Sequence, residues 1–320
     1  LLLCYVVLRS RAVWERKGWL EAVIIICSVT NLAVVLLWWH DRPQVDFIGR
    51  PTLLTEFLHS NPGKVLVFLP PGVRSDIDVT QQHIDSFSPN LNIYYGVESA
   101  ESLEHLVSRR SMEMLGLMGG RLTQFVDNLS SLPISNNEKV DVLVSRNALL
   151  DFAGVRYIVS GASLPSDFAA KVAEFNMDSF TRPLAVYENK RIRPLVYQVS
   201  NLRFATTDDE AWNKWKESGF SDIVLSCEKC PNHQFFSQGR LGGLERKSGM
   251  IRFNVSSSHD QFMVISQSFF PGWEAYIDGG WTEVYTVNSM FMGVVAPKGD
   301  HEVKVVYRYP WPWRLRKVSW

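Results

Sequence analysis

The sequence predicts a membrane-anchored α+β protein: a transmembrane helix, then an extracytoplasmic α/β layer, then a C-terminal antiparallel β-sandwich. Three observations predict it. Residues 22–39 are almost uninterruptedly apolar, strand-like and helix-like segments alternate over residues 52–190, and short β-rich segments divided by Gly and Pro turns fill residues 191–309. The organisation that follows is residues 1–17 as the end of one transmembrane helix and a basic cytoplasmic loop, 18–39 as a transmembrane helix, 40–190 as the α/β region, 191–309 as the sandwich, and 310–320 as the approach to a further membrane helix.

The membrane helix rests on length and flanks. Residues 18–39 cover roughly 30 Å as a helix, about one hydrocarbon core. Trp19 at one end and Trp38 and Trp39 at the other suit interfacial aromatic belts. Ser28, Thr30 and Asn31 interrupt the apolar run and are expected to face a neighbouring helix. A soluble core helix rarely stays apolar for so long, and a cleavable signal peptide is shorter and has no second apolar run before it. Arg9, Arg11, Arg16 and Lys17 form a short basic loop between the two apolar runs, and the positive-inside rule assigns that loop to the cytoplasm. Residues 40–309 are then expected outside, at a bacterial cytoplasmic membrane, with the lipid bilayer as a partner. The chain opens at Leu1 inside an apolar run and closes on an aromatic and basic tail around Trp311, Trp313, Arg314 and Lys317, which reads as a fragment of a longer, multi-spanning protein.

Within the α/β region, residues 52–59 read as an amphipathic helix, and Asn61-Pro62-Gly63 is a turn leading into Lys64-Val-Leu-Val-Phe-Leu69, an apolar run typical of a strand buried on both faces. Residues 91–95, 140–144 and 155–159 are further strand candidates, and residues 102–116 and 146–152 read as helices. In the C-terminal third, residues 194–199, 250–255, 262–266, 273–277, 282–287, 292–295 and 301–309 are strand candidates. Pro271-Gly272, Asp278-Gly279-Gly280 and Pro297-Lys298-Gly299-Asp300 provide turns between them. Thr207 followed by Glu210 forms a capping box that opens one intervening helix.

Composition narrows the function. The 33 basic and 33 acidic side chains cancel, which argues against a nucleic-acid partner. The 11 Trp, 18 Phe and 10 Tyr suit β-rich packing and membrane interfaces, and four cysteines are too few for a disulfide framework in 320 residues. No Gly-x-Ser-x-Gly elbow, phosphate-binding glycine loop or His-Glu-x-x-His is present, so a self-contained hydrolase or nucleotide enzyme is not expected, and no cofactor is.

Phe270-Pro-Gly-Trp273-Glu-Ala-Tyr276-Ile-Asp278-Gly279, Val287-Asn288-Ser-Met-Phe291-Met-Gly293, Pro297-Lys-Gly299-Asp-His301-Glu-Val and Val306-Tyr307 closely resemble the end of YfhO-like bacterial membrane proteins. Tyr94-Tyr-Gly96-Val-Glu98-Ser, Leu150-Asp-Phe-Ala-Gly154-Val-Arg-Tyr157 and Val186-Tyr187-Glu188-Asn189 extend the resemblance in the same order. It implies a relative of the GT-C glycosyltransferases, which take a sugar from a polyprenyl-phosphate donor and hold their catalytic carboxylate in an early outer loop. The parent is then expected to modify a cell-envelope glycan or glycolipid, with lipid-linked sugar and envelope glycan as partners. No catalytic residue carries over to this chain, which is expected to be inactive by itself. The alternative is a non-enzymatic, membrane-anchored module that binds glycan or protein.

Three groups of residues are candidates for chemistry. Asp76-Ile-Asp78 has the paired-carboxylate form that holds divalent metals, although a solvated loop is the favoured reading of so short a match. Cys227 and Cys230 can form a disulfide, half a zinc site or two free thiols; outside the cytoplasm the disulfide is favoured, and the chain offers no second Cys pair for zinc. Trp273, Tyr276, Trp281 and Tyr285 can form an aromatic platform for sugar rings, with cross-strand packing as the favoured competing reading.

Overall fold

The computed structural model describes residues 28–30, 51–72, 74–77, 79–85, 87, 91–101, 109–120, 128–227, 230, 235 and 239–308. The chain divides into two units, residues 1–51 and 52–320; in the first, residues 28–30 are helical and exposed. The second unit carries three sheets, of four, six and five strands.

The first sheet begins with α1 (Leu53–Ser60), whose N-terminus is closed by reciprocal Thr52 and Thr55 hydrogen bonds, and β1 (Lys64–Phe68). Short helices follow: α2 (Val79–Asp85), α3 (Leu91–Tyr94), α4 (Arg109–Leu117), α5 (Asn136–Ser145) and α6 (Asn147–Ala153). Then come β2 (Val155–Ser160), β3 (Ala170–Phe175) and β4 (Leu184–Glu188), in the order β1-β2-β4-β3. Only β1 and β2 pair in parallel in this sheet. Because β1 is apolar on both faces, helices can cover both: Val65 and Val67 pack with Leu54 and Leu58 of α1, and Leu66 and Phe68 with Leu143, Leu149 and Phe152 of α5 and α6.

The second and third sheets are built from β5 (Val196–Val199), β6 (Arg203–Ala205), α7 (Asp208–Glu217), β7 (Val224–Ser226), β8 (Arg240–Lys247), β9 (Met250–Ser257), β10 (Gln261–Ser268), β11 (Trp273–Ile277), β12 (Gly280–Thr282), β13 (Tyr285–Val287), β14 (Phe291–Ala296) and β15 (Gly299–Tyr307). Their orders are β5-β10-β14-β13-β7-β6 and β12-β11-β15-β9-β8. Strand alternation assigns the faces. Met263 and Ile265 of β10 meet Ile251, Phe253, Val303 and Val305 of the five-stranded sheet, so these two sheets share a core. Phe262 and Val264 point the other way, into the cluster that holds Trp215 of α7 and Phe152 of α6. The Trp215 and Phe152 rings meet edge-on at 5.6 Å, which joins the first sheet to the second through one continuous core.

Two left-handed turns set the register of the C-terminal strands. Asp278 (φ 50°) and Gly279 (φ 83°) make the two-residue turn between β11 and β12. Asn288 (φ 49°) and Ser289 (φ 61°) lead the three-residue connection, closed by Met290, between β13 and β14. Asn288 is fully buried; its Oδ1 accepts from the Val224 backbone N–H at 2.7 Å and its Nδ2 donates to the Asp222 carbonyl at 3.2 Å. Gly293 lies on β14 where a Cβ would come within 2.8 Å of Phe262 Cε1 and Val287 Cγ2.

The sequence-predicted fold class is corrected here. The described residues are largely β-sheet in three sheets, with few helices, rather than a membrane-anchored α+β arrangement. No helix among them is long and apolar enough to cross a membrane; α5 and α7, with 10 residues each, are half the roughly 20 a span needs. The transmembrane helix expected over residues 18–39 lies, apart from 28–30, outside the described residues, as do the ends at 1–17 and 310–320. Two strands expected in the α/β layer are helical: residues 91–94 form α3 and residues 140–144 belong to α5. In the latter, Ser135 and Glu138 make a reciprocal cap that overrides the β-branched Val140, Val142 and Val144. The sandwich is not purely antiparallel either, since β6 and β7 pair in parallel across the α7 crossover.

Candidate functional site

The outer face of the five-stranded sheet is the most chemically distinctive surface of the second unit. Its three central strands alternate. On β11, Ala275 is fully buried while Glu274 and Tyr276 point outward; on β15, Val303 and Val305 are buried while Glu302 and Lys304 point outward; on β9, Ile251, Phe253 and Val255 are buried while Arg252 and Asn254 point outward. The Asp278-Gly279 turn then fixes the register of β12, which sets Trp281 opposite Tyr276. Tyr276 in turn stands opposite Lys304, Lys304 opposite Arg252, and Arg252 opposite Glu245. One straight row of outward side chains therefore crosses all five strands: Trp281, Tyr276, Lys304, Arg252, Glu245.

Its aromatic end is held open by polar contacts. Trp281 is 70% exposed. The Tyr276 hydroxyl donates to Glu274 Oε2 at 2.7 Å, Arg308 pairs with the same carboxylate at 3.1 Å, and the Arg308 guanidinium stands 5.9 Å from the Tyr276 ring centre. Tyr276, Lys304 and Arg308 line a shallow open cleft with Gly279, Glu302 and Val306. At the other end Arg252 binds Glu245 and lies 3.6 Å from Glu302. Lys247 and Arg252 hold the Glu245 carboxyl below the ordinary range, so this end of the row stays ionised. A flat sheet carrying an exposed indole and a phenol ring, rimmed by Lys, Arg, Glu and Asn, can stack the apolar face of a sugar ring and hydrogen-bond its hydroxyls.

Of the four residues in the aromatic platform suggested by the sequence, only Tyr276 and Trp281 share this face. Trp273 points to the opposite side of β11, where its ring meets Tyr307 at 5.5 Å beside the sandwich core. Tyr285 packs against Phe262 at 6.1 Å; burial and the neighbouring Glu283 push its hydroxyl up to about 12. Lys304, Arg252 and Arg308 were not singled out from sequence; alternation in β15 and in β9 is the signal that turns the first two outward, and the strand pairing that brings them together was not legible.

The remaining candidates are located as follows. The Cys227 and Cys230 sulfurs are bonded, 2.04 Å apart, just after β7, and the Cys227 N–H donates to the Ala205 carbonyl at 3.1 Å. Asp76 is engaged by Arg74 at 3.1 and 2.8 Å, which holds its carboxyl below the ordinary range, and Asp78 lies outside the described residues. Among the described residues no three His, Cys, Asp or Glu side chains are grouped to hold a metal ion.

No curated protein and no solved structure matches the chain. Residues 238–313, which run from just before β8 through β15 and so contain the whole five-stranded sheet with its outer row, match the model of the family described as bacterial membrane protein YfhO; this part of the chain is YfhO-like, in keeping with a membrane protein.

Proposed function

We propose that the chain is the extracytoplasmic portion of a YfhO-like membrane glycosyltransferase, and that the Trp281–Tyr276–Lys304 end of its outer sheet face holds the acceptor, a cell-envelope glycan or glycolipid. The sugar comes from a polyprenyl-phosphate donor, and the catalytic carboxylate stands on an early outer loop not among these 320 residues. The observation that carries this reading is the cross-strand register that aligns an exposed indole and a phenol ring with a row of charged side chains, inside the segment matched by the YfhO model. The Cys227–Cys230 disulfide supports an oxidising, extracytoplasmic setting.

The test is a Tyr276→Ala/Trp281→Ala double variant of the parent, expressed at wild-type level in its host, with the envelope glycans analysed for sugar substituents. Loss of a substituent supports the transferase reading. The same face also suits a non-enzymatic module that holds glycan near the membrane, and in that case the variant loses glycan binding while the envelope glycans are unchanged. If binding and glycans both stay at wild-type level, neither reading stands.

A further inference from the structure

A second cleft lies where the first sheet meets the other two, away from the outer sheet face. Lys64 opens β1, and Glu98 immediately precedes the bridge between Ser99 and Val65. Arg246 comes from β8, and Ser266, Gln267 and Ser268 end β10. Together they line about 250 Å³.

Among the described residues the charges in this cleft do not balance. Arg246 Nη1 donates to both oxygens of Glu98, at 3.1 and 3.0 Å, and its Nη2 donates to Gln267 Oε1 at 3.3 Å. Lys64 Nζ is 3.9 Å from Glu98 and donates to the Ala153 carbonyl at 2.8 Å. Two cations thus face one carboxylate. Burial pushes the Lys64 ammonium below the ordinary lysine range, Glu98 draws it back up, and Arg246 pushes it down again. The Lys64 and Arg246 side chains keep 24% and 43% of their surface exposed, so an anion can reach both cations from solvent and share them with Glu98. Hydrogen-bond capacity points the same way. Lysine offers three donors, arginine five and the glutamine amide two, more than Glu98, Ala153 and Gln267 Oε1 take up. The Ser266 hydroxyl, on a residue 5% exposed, also lines the cleft and lies within reach of the Tyr197 hydroxyl.

We infer that this cleft binds the anionic group, carboxylate or phosphate, of a small ligand, with Lys64 and Arg246 as counter-cations and Gln267 and the β10 serines as hydrogen-bond partners. Its volume is below the range of about 300–1,000 Å³ common for drug-sized ligands, which limits the occupant to about one ring. The site is independent of the aromatic platform, because it draws on charge rather than stacking and shares no residue with it.

Isothermal titration of the purified full chain with inorganic phosphate, with glucuronate and with neutral glucose tests this. The expected result is binding of at least one anion with a dissociation constant of about 1 mM or tighter, weakened by salt, and no binding of glucose; whichever anion binds better identifies the group. Lys64→Gln is expected to weaken binding at least tenfold, and Gln267→Leu, at a half-buried position less able to disturb folding, severalfold. Tyr276→Ala is expected to leave anion binding unchanged. Binding of neither anion, glucose binding as tightly as the anions, or affinities unaltered in both cleft variants overturns the inference.

Discussion

Replacing Asn288 by Ala is predicted to be among the most damaging single substitutions in the C-terminal strands, and its cost can be built from the contacts. The side chain is fully buried and acts as a bridge from the β13–β14 turn to β7: Oδ1 takes the Val224 N–H at 2.7 Å and Nδ2 gives to the Asp222 carbonyl at 3.2 Å. Val224 is itself fully buried, so Ala orphans an N–H that water cannot reach, at about 1–3 kcal/mol. Loss of the bond to the half-exposed Asp222 adds about 0.5–1.5 kcal/mol. The backbone stays at φ 49°, a left-handed conformation that costs a residue with a Cβ about 1 kcal/mol once asparagine's local tolerance is gone. The sum is about 3–5 kcal/mol, a large share of the roughly 5–15 kcal/mol that holds a typical domain. Urea unfolding of the purified chain, read by circular dichroism, is the assay, with a lowered midpoint at unchanged slope. Asn288→Gly loses the same bonds but not the left-handed penalty, so it should be about 1 kcal/mol less destabilised than Asn288→Ala. A loss below about 1 kcal/mol for Ala, or a Gly variant less stable than Ala, refutes the bridging role.

Three further outcomes are expected. Gly293→Ala drives a methyl group against the Phe262 ring and Val287 and should cost about 1–3 kcal/mol in the same unfolding assay. The His301–Asp278 pair, 2.6 Å apart, raises the histidine pKa and lowers the aspartate pKa, so its stabilisation is full between the ordinary aspartate and histidine values. It is lost as pH rises through the folded histidine value or falls through the folded aspartate value; Asp278→Asn should flatten the decline in thermal midpoint over roughly pH 6–8. Reducing Cys227–Cys230 opens a loop of sequence separation 3 and should cost about 2 kcal/mol or less, leaving the far-UV spectrum folded; global unfolding on reduction contradicts that.

The strands that announced themselves by pattern are the ones with a uniform environment. The apolar run from Lys64 is β1, buried on both faces, and the alternating run from Met250 is β9, with Ile251, Phe253 and Val255 inward. The Asp278-Gly279 turn was legible because left-handed backbone at two successive positions selects that dipeptide. Where the reading failed, a local and a long-range effect competed. Val140, Val142 and Val144 look like a strand until the Ser135–Glu138 cap is given its weight. Strand β3 was missed because an edge strand alternates weakly: Lys171, Val172 and Glu174 are all exposed. At Thr207, where a capping box was expected, the hydroxyl does cap Glu210 N–H, but the Glu210 carboxylate turns to Thr206 instead.

The candidate sites show the same division. Which aromatics share a face depends on parity along β11, and that put Tyr276 with Trp281 and sent Trp273 inward. The full row to Glu245 needed the pairing of β15 with β9 and of β9 with β8. The Lys64–Glu98–Arg246 cleft was not legible at all, because Glu98 and Arg246 alone are separated by 148 positions and the charges meet only when the first sheet packs against β8. The motif block resembling YfhO is accounted for mainly by scaffold: the Asp278-Gly279 and Asn288-Ser289 turns, Gly293 beneath Phe262, and the Trp273–Tyr307 contact. Glu274, Tyr276 and Glu302 are members of that block that face outward.

The most direct measurement for the central claim is a titration of isolated envelope glycan fragments into the purified chain, compared with the Trp281→Ala and Tyr276→Ala variants. Losing a stacked aromatic ring should remove about 1–2 kcal/mol of binding, a five- to thirtyfold weakening for each variant, with the unfolding midpoint unchanged because both side chains lie outside the core. Wild-type affinity in both variants, or no affinity for any fragment in the parent chain, contradicts the assignment of this face to a glycan.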